Sequence, residues 1–132
     1  MVALAAIAVD SAIAFLAQRE LVNATAAAAN DAATAALSDR SFYEANRIEL
    51  SAAAVEAIAV GRVVALVDAG RHHGLSVRAE AVPPTSTGCA WTVRVSASST
   101  VDELFGKALP GGGTADVHAR SSASPRQASN DC

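Results

Sequence analysis

The stretch that decides the fold is LSVRAEAVPPTSTGCAWTVRVSA, residues 75–97. On its first arm Leu75, Val77, Ala79 and Ala81 alternate with Ser76, Arg78 and Glu80. On its second, Trp91, Val93, Val95 and Ala97 alternate with Thr92, Arg94 and Ser96. A period of two sends successive side chains to opposite faces of a strand, so each arm has a dry face and a wet one. Pro83-Pro84 ends the first arm and residues 85–88 supply the reversal. The two arms read as an antiparallel hairpin with one buried face.

A lone hairpin is rarely stable in water, so the pattern calls for a third strand and a helix to cover it. The third strand is predicted from Thr114 to Ser122, with Ala115, Val117 and Ala119 inward and Asp116, His118 and Arg120 outward. Between hairpin and third strand, Thr100 and Glu103 have capping-box spacing. They predict a short helix with Val101, Leu104, Phe105, Ala108 and Leu109 on one face, ended by Pro110 and three glycines.

Upstream of the hairpin, Ser41 and Glu44 repeat that spacing and predict the start of a longer helix. Its apolar stripe is Ile48, Ala52, Val55, Ile58, Ala59, Val63, Leu66 and Val67. Gly70 and Gly74 offer stopping points, and Arg71, His72 and His73 fall where positive charge suits the helix dipole.

The remaining segment comes first in the chain. From Met1 to Ala17 every residue is apolar except Asp10 and Ser11. As a helix this run is about 26 Å long, slightly short of a hydrocarbon core of about 30 Å. Gln18, Arg19, Glu20 and Asn23 mark an exit, and no Gly or Pro interrupts the helical pattern through Leu37. The expected class is therefore α+β, in the order α-α-β-β-α-β. Residues 1–22 form a membrane-anchoring part, 23–122 an extracytoplasmic head, and 123–132 a disordered tail. A secretory signal and a buried helix of a soluble bundle are the competing readings of the apolar run.

Asp10 is the odd residue within it. A carboxylate at membrane depth costs a few kcal/mol, so it needs a partner or water. A basic or N-terminal group on a neighbouring subunit would supply the first; a position near the interface would supply the second.

Composition narrows the functional classes. Of the 52% apolar residues, 33 are alanine, which buries little area and chiefly favours helix. The core must then rest on Val, Leu, Ile and a few rings, a thin supply that points to support from a bilayer or a partner. A net charge of −3, with ten basic residues scattered along the chain, argues against nucleic acid. Cys89 and Cys132 form at most one bond and supply too few ligands for a zinc site. In an oxidising compartment their bond would staple the tail to the sheet; two unpaired thiols are the alternative.

No constellation reads as catalytic. The adjacent residues His72 and His73, taken as helical, point about 100° apart and do not converge on one metal ion. Cys89 with His118 lacks an oxyanion-type junction and an orienting group. Gly111-Gly112-Gly113 precedes a strand and lacks the Lys-Ser/Thr of a phosphate loop, so it reads as a flexible connection. The reading is a non-enzyme with no cofactor, no metal, no small-molecule substrate and no catalytic residue. The runner-up is a secreted or periplasmic small binding module; a hydrolase using Cys89 or His118 ranks third.

The run Val9-Asp10, then Ala14-Phe15-Leu16-Ala17-Gln18-Arg19-Glu20-Leu21 and Asn23-Ala24-Thr25-Ala26-Ala27-Ala28, resembles the N-terminal region of TadE/TadG-like pilus-assembly proteins. In that family an apolar span ends near a Val-Asp pair and passes through a polar exit into an Asn-Ala-Ala-rich helix. The segments Trp91–Ala97 and Phe105–Pro110 are similar to short actinobacterial members. The resemblance implies a single-pass, pilin-like protein of the cytoplasmic membrane, with most of the chain extracytoplasmic, contributing to assembly of Flp-type (tight adherence) pili. Its implied partners are the lipid bilayer and other pilus-assembly proteins or pseudopilins. Many members carry a peptidase motif, a glycine with a glutamate soon after, ahead of the span. Neither residue precedes the span here, which leaves an upstream start and an unprocessed member as the two expectations.

Overall fold

The computed structural model describes residues 2–37, 49–85, 90–108 and 112–125. Helix α1 runs Val2–Ala35, helix α2 Ala52–Leu66, and strands β1 His72–Val82, β2 Thr92–Asp102 and β3 Thr114–Ala123. A single 3-10 turn, Gly106–Ala108, lies between β2 and β3. The three strands form an antiparallel sheet in the order β1-β2-β3. The fold is α+β, in the expected order.

The period-two reading holds along the sheet. On β2 the buried residues are Val93, Val95, Ala97, Ser99 and Val101, with Arg94, Ser98 and Asp102 exposed between them. Register carries the dry face across: Ala97 pairs with Val77 on one side and Ala119 on the other. Both helices close that face, α1 against β2 and β3, and α2 against β1.

Alanine makes the closure possible. Ala24, Ala28, Ala29, Ala32 and Ala33 of α1 have essentially no exposed surface. A methyl is the smallest side chain with a β-carbon, so the helix backbone approaches the sheet closely. The larger buried side chains are Leu21 of α1, Val55 and Val63 of α2, and Val93, Val95 and Val101 of β2. Burying each contributes about 1.5–3 kcal/mol. The carboxyl half of α1, which follows the polar exit, is thus the spine of the core.

Three boundaries differ from expectation, each because a tertiary contact overrides a local signal. Ser41, Glu44 and Ile48 lie outside the described residues. The described helix α2 starts later, at Ser51, whose Oγ accepts a 3.4 Å bond from the Ala54 amide. Before it Leu50 bridges to Leu37, and the Ser51 amide donates to the Ala36 carbonyl at 3.0 Å. Helix cannot run unbroken from Ser41 to Val67 while these groups pair with the end of α1. On the α2 stripe Val55, Ala59, Val63 and Val67 are buried, but Ala52 and Leu66 face out.

Secondly, His72 and His73 belong to β1, not to a helix end. Gly74, with φ of +60°, sits at the register shift between His73 and Ser76, a conformation that disfavours any β-carbon. Thirdly, Thr100 and Val101 continue β2 instead of starting a helix. Val101 is fully buried, while Leu104 and Phe105 form an exposed turn. The Thr100 hydroxyl donates to the His73 carbonyl across the ladder at 3.3 Å, a partner that competes with a cap.

Candidate functional site

The feature with most functional content is the amino-terminal half of α1 and the way the head grips it. The helix is long and apolar enough to cross a membrane by length and composition. Val2 is 85% exposed, Leu4 72%, Ile7 58% and Phe15 64%. Apolar surface left in water forfeits about 25 cal/mol per Å², and a contiguous run of it marks an interaction surface.

Packing with the head begins before residue 22. Ala17 and Leu21 are fully buried. Closer to the amino terminus, the Asp10 carboxylate accepts from the Leu104 amide at 2.9 Å and from the Phe105 amide at 3.1 Å. These donors are backbone amides of the same chain, in the turn after β2, and not the basic or N-terminal group of a neighbouring subunit that was expected. Two donors on a carboxylate satisfy it without a counter-charge.

Two further side chains of α1 reach across. Gln18 uses both ends of its carboxamide on the His118 backbone: its nitrogen donates to the His118 carbonyl, and its oxygen accepts from the His118 amide at 3.2 Å. β3 is an edge strand, and Gln18 thereby covers part of its open edge. Glu20 ties three elements. Its carboxylate accepts from the Asp68 amide at 2.7 Å and from Arg71 at 2.6 Å, and lies 3.7 Å from His72 Nε2. Higher on the helix, buried Thr25 meets Ser121 through their hydroxyls at 3.1 Å.

The turn that Asp10 holds is built from close backbone approaches. The Glu103 amide donates to the Gly113 carbonyl at 3.0 Å, and the Gly113 amide donates back to the Glu103 carboxylate at 3.4 Å. A β-carbon on Gly112 would lie 2.4 Å from the Gly106 carbonyl oxygen. Gly112, read as part of a flexible connection, is therefore required by contact. Leu104 and Phe105, 67% and 49% exposed, project from this turn.

The two histidines lie on opposite faces of β1 and do not converge. The His72 ring is fully buried, with Nδ1 2.6 Å from the Ser99 hydroxyl. Expected at a helix end where positive charge suits the dipole, His72 instead faces the core, and its Nε2 has no hydrogen-bond partner. His73 is half-exposed, 3.6 Å from Asp102. His118 faces outward on β3. Cys89 and Cys132 lie outside the described residues, and with them the Cys89–Cys132 bond. Among the described residues no group of three or more His, Cys, Asp or Glu side chains is placed to hold a metal ion.

One other surface carries charge. Arg78, Ser96 and Arg120 share a row across the outward face, and Glu80, Arg94 and Ser122 share another. They line a shallow depression of about 950 Å³.

Sequence reasoning singled out Asp10 but read Gln18 and Glu20 only as a polar exit from the apolar run. The available signal was their spacing: Asp10, Gln18, Leu21, Thr25 and Ala28 recur at helical intervals and share one face. Comparison of the chain with family models, with curated proteins and with solved structures finds no match.

Proposed function

We propose that this chain is a membrane-anchored, pilin-like structural protein that contributes to assembly of Flp-type pili, as its likeness to TadE/TadG proteins over residues 9–28 implies. The observation that carries the reading is the division of one helix. The carboxyl half of α1 is the core of an α+β head, while its amino half presents Val2, Leu4, Ile7 and Val9 to the surroundings. Such a run finds a favourable solvent in lipid. The role is mechanical: the stem anchors, and the head presents its open sheet face or α2 to other pilus components outside the cytoplasm. Its alanines favour lateral packing of stems, since small residues allow close backbone approach in lipid. The reading assigns no catalytic residue and no cofactor.

The test is extraction of membranes from the source cells. Full-length protein should stay with the membrane at high pH and be released by detergent. Release by alkali alone would reject the anchor. Deletion of the gene should then abolish or shorten surface pili in electron micrographs, and unchanged piliation would reject the assembly role.

The open depression, lined by Arg78, Arg94 and Arg120 together with Glu56 and Glu80, favours the second reading, a secreted or periplasmic small binding module. Full-length protein recovered in the soluble extracytoplasmic fraction would support it.

A further inference from the structure

On α1, Asp10 bonds the Leu104 and Phe105 amides of the head, and the exposed apolar side chains of Val2, Leu4, Ile7 and Val9 lie on its amino side. A bilayer that takes up these residues brings the level of Asp10 to its surface. Leu104 and Phe105 sit at that level, since their amides are the donors to Asp10. They are exposed apolar side chains, as are Val2, Leu4 and Ile7 on the stem. Lys107, next along the same turn, is largely exposed and lies 3.6 Å from Asp102.

Taken together, the geometry points to the Leu104–Phe105 turn as a second membrane contact, a wedge in the headgroup–acyl boundary that Asp10 locks beside the stem. The occupant is the lipid surface. Three features of the site fit it. Apolar side chains at the tip match a contact buried about 5–10 Å into the boundary. Lys107 adds a cation of the kind that snorkels to anionic headgroups. Asp10, which would oppose insertion as a bare carboxylate, has its oxygens engaged by amide donors. A head that touches the bilayer at stem and turn is held at one tilt, so the sheet's outward face keeps a constant angle to the membrane plane.

This inference rests on the anchored reading, and the experiment separates the two. The full chain carrying W91F and F105W has a single tryptophan, placed in the turn. It is reconstituted in phosphatidylcholine–phosphatidylglycerol vesicles, with brominated acyl chains as quencher, bromine set either near the headgroup or near the chain end. Flotation with the vesicles reports the anchor. The expected result is flotation, a blue-shifted emission, and loss of at least half of that emission to shallow bromine, with less loss to deep bromine. Adding D10A should keep flotation and restore most of the emission, whereas D10N, which retains an acceptor oxygen, should stay quenched. Flotation without quenching overturns the inference and leaves the anchor standing. A blue shift without quenching assigns the turn to a protein contact and also overturns it. Failure to float overturns both. F105S, which leaves Asp10 and its amide donors in place, should float with an unchanged circular dichroism spectrum. A lost spectrum would make the turn a folding element and overturn the wedge.

Discussion

The two halves of α1 are one uninterrupted helix, yet they meet opposite environments. Residues 2–16 carry Val, Leu, Ile and Phe side chains, and most of these are exposed. Residues 17–35 are dominated by alanine, and six alanines, Thr25 and Leu21 are buried on the head-facing side. Bulk hydropathy would have placed the core in the first half. Burial instead follows the side that lets a helix backbone approach a sheet, where small side chains and a few matched polar groups outcompete large apolar ones. Large side chains are left for another solvent.

That contrast is sharpest at Leu21, the large side chain of α1 that the head accepts. Leu21→Ala should cost about 2–5 kcal/mol by leaving a cavity in the core. Leu4→Ala, nearly five turns earlier, should shift stability by less than about 0.5 kcal/mol. Denaturant melts of both variants in mild detergent make the comparison, and equal losses would erase the distinction between halves.

The converse substitution probes the alanine face. Ala28→Leu should destabilise the head by about 1–3 kcal/mol, because no room exists between helix and sheet. The same change at exposed Ala5 should be silent by the same melt.

Polar matching gives an effect of similar size. Ser99→Ala removes the partner of buried His72 Nδ1 and should cost about 1–3 kcal/mol, the penalty of a stranded polar group. If the melt is unchanged, the Ser99 hydroxyl is not holding the ring. The smallest effect is expected at the surface pair between Arg62 and Asp31, 2.7 Å apart and about half-exposed on both sides. Arg62→Ala should lose no more than about 1 kcal/mol, and less at high salt.

Much of the fold was legible because its signals are local. Alternation in 75–97 and 114–122 is a backbone property, and each residue predicted inward on β3 is at least partly buried. The stem was legible for the same reason, as an apolar helical run. The Leu104–Phe105 turn was not. Its residues have helical spacing and a capping box, but β2 takes Val101 into the sheet, and Gly112 must pass against the Gly106 carbonyl. Nor was the grip of Asp10 on that turn legible, since its donors are backbone amides 94 and 95 residues away. A backbone amide leaves no mark in composition.

The amino-acid sequence by itself determined the element types, the dry face of the sheet and the presence of one unusually apolar helix, since these depend on periodicity and propensity within a few residues. Only the tertiary structure decided where along that helix the head begins, that alanines rather than leucines line its core, and that Asp10, Gln18 and Glu20 are ties instead of a polar exit. Those outcomes depend on distances between segments far apart in the chain. Steric fit and the satisfaction of buried polar groups set such distances, and neither is encoded at any single position.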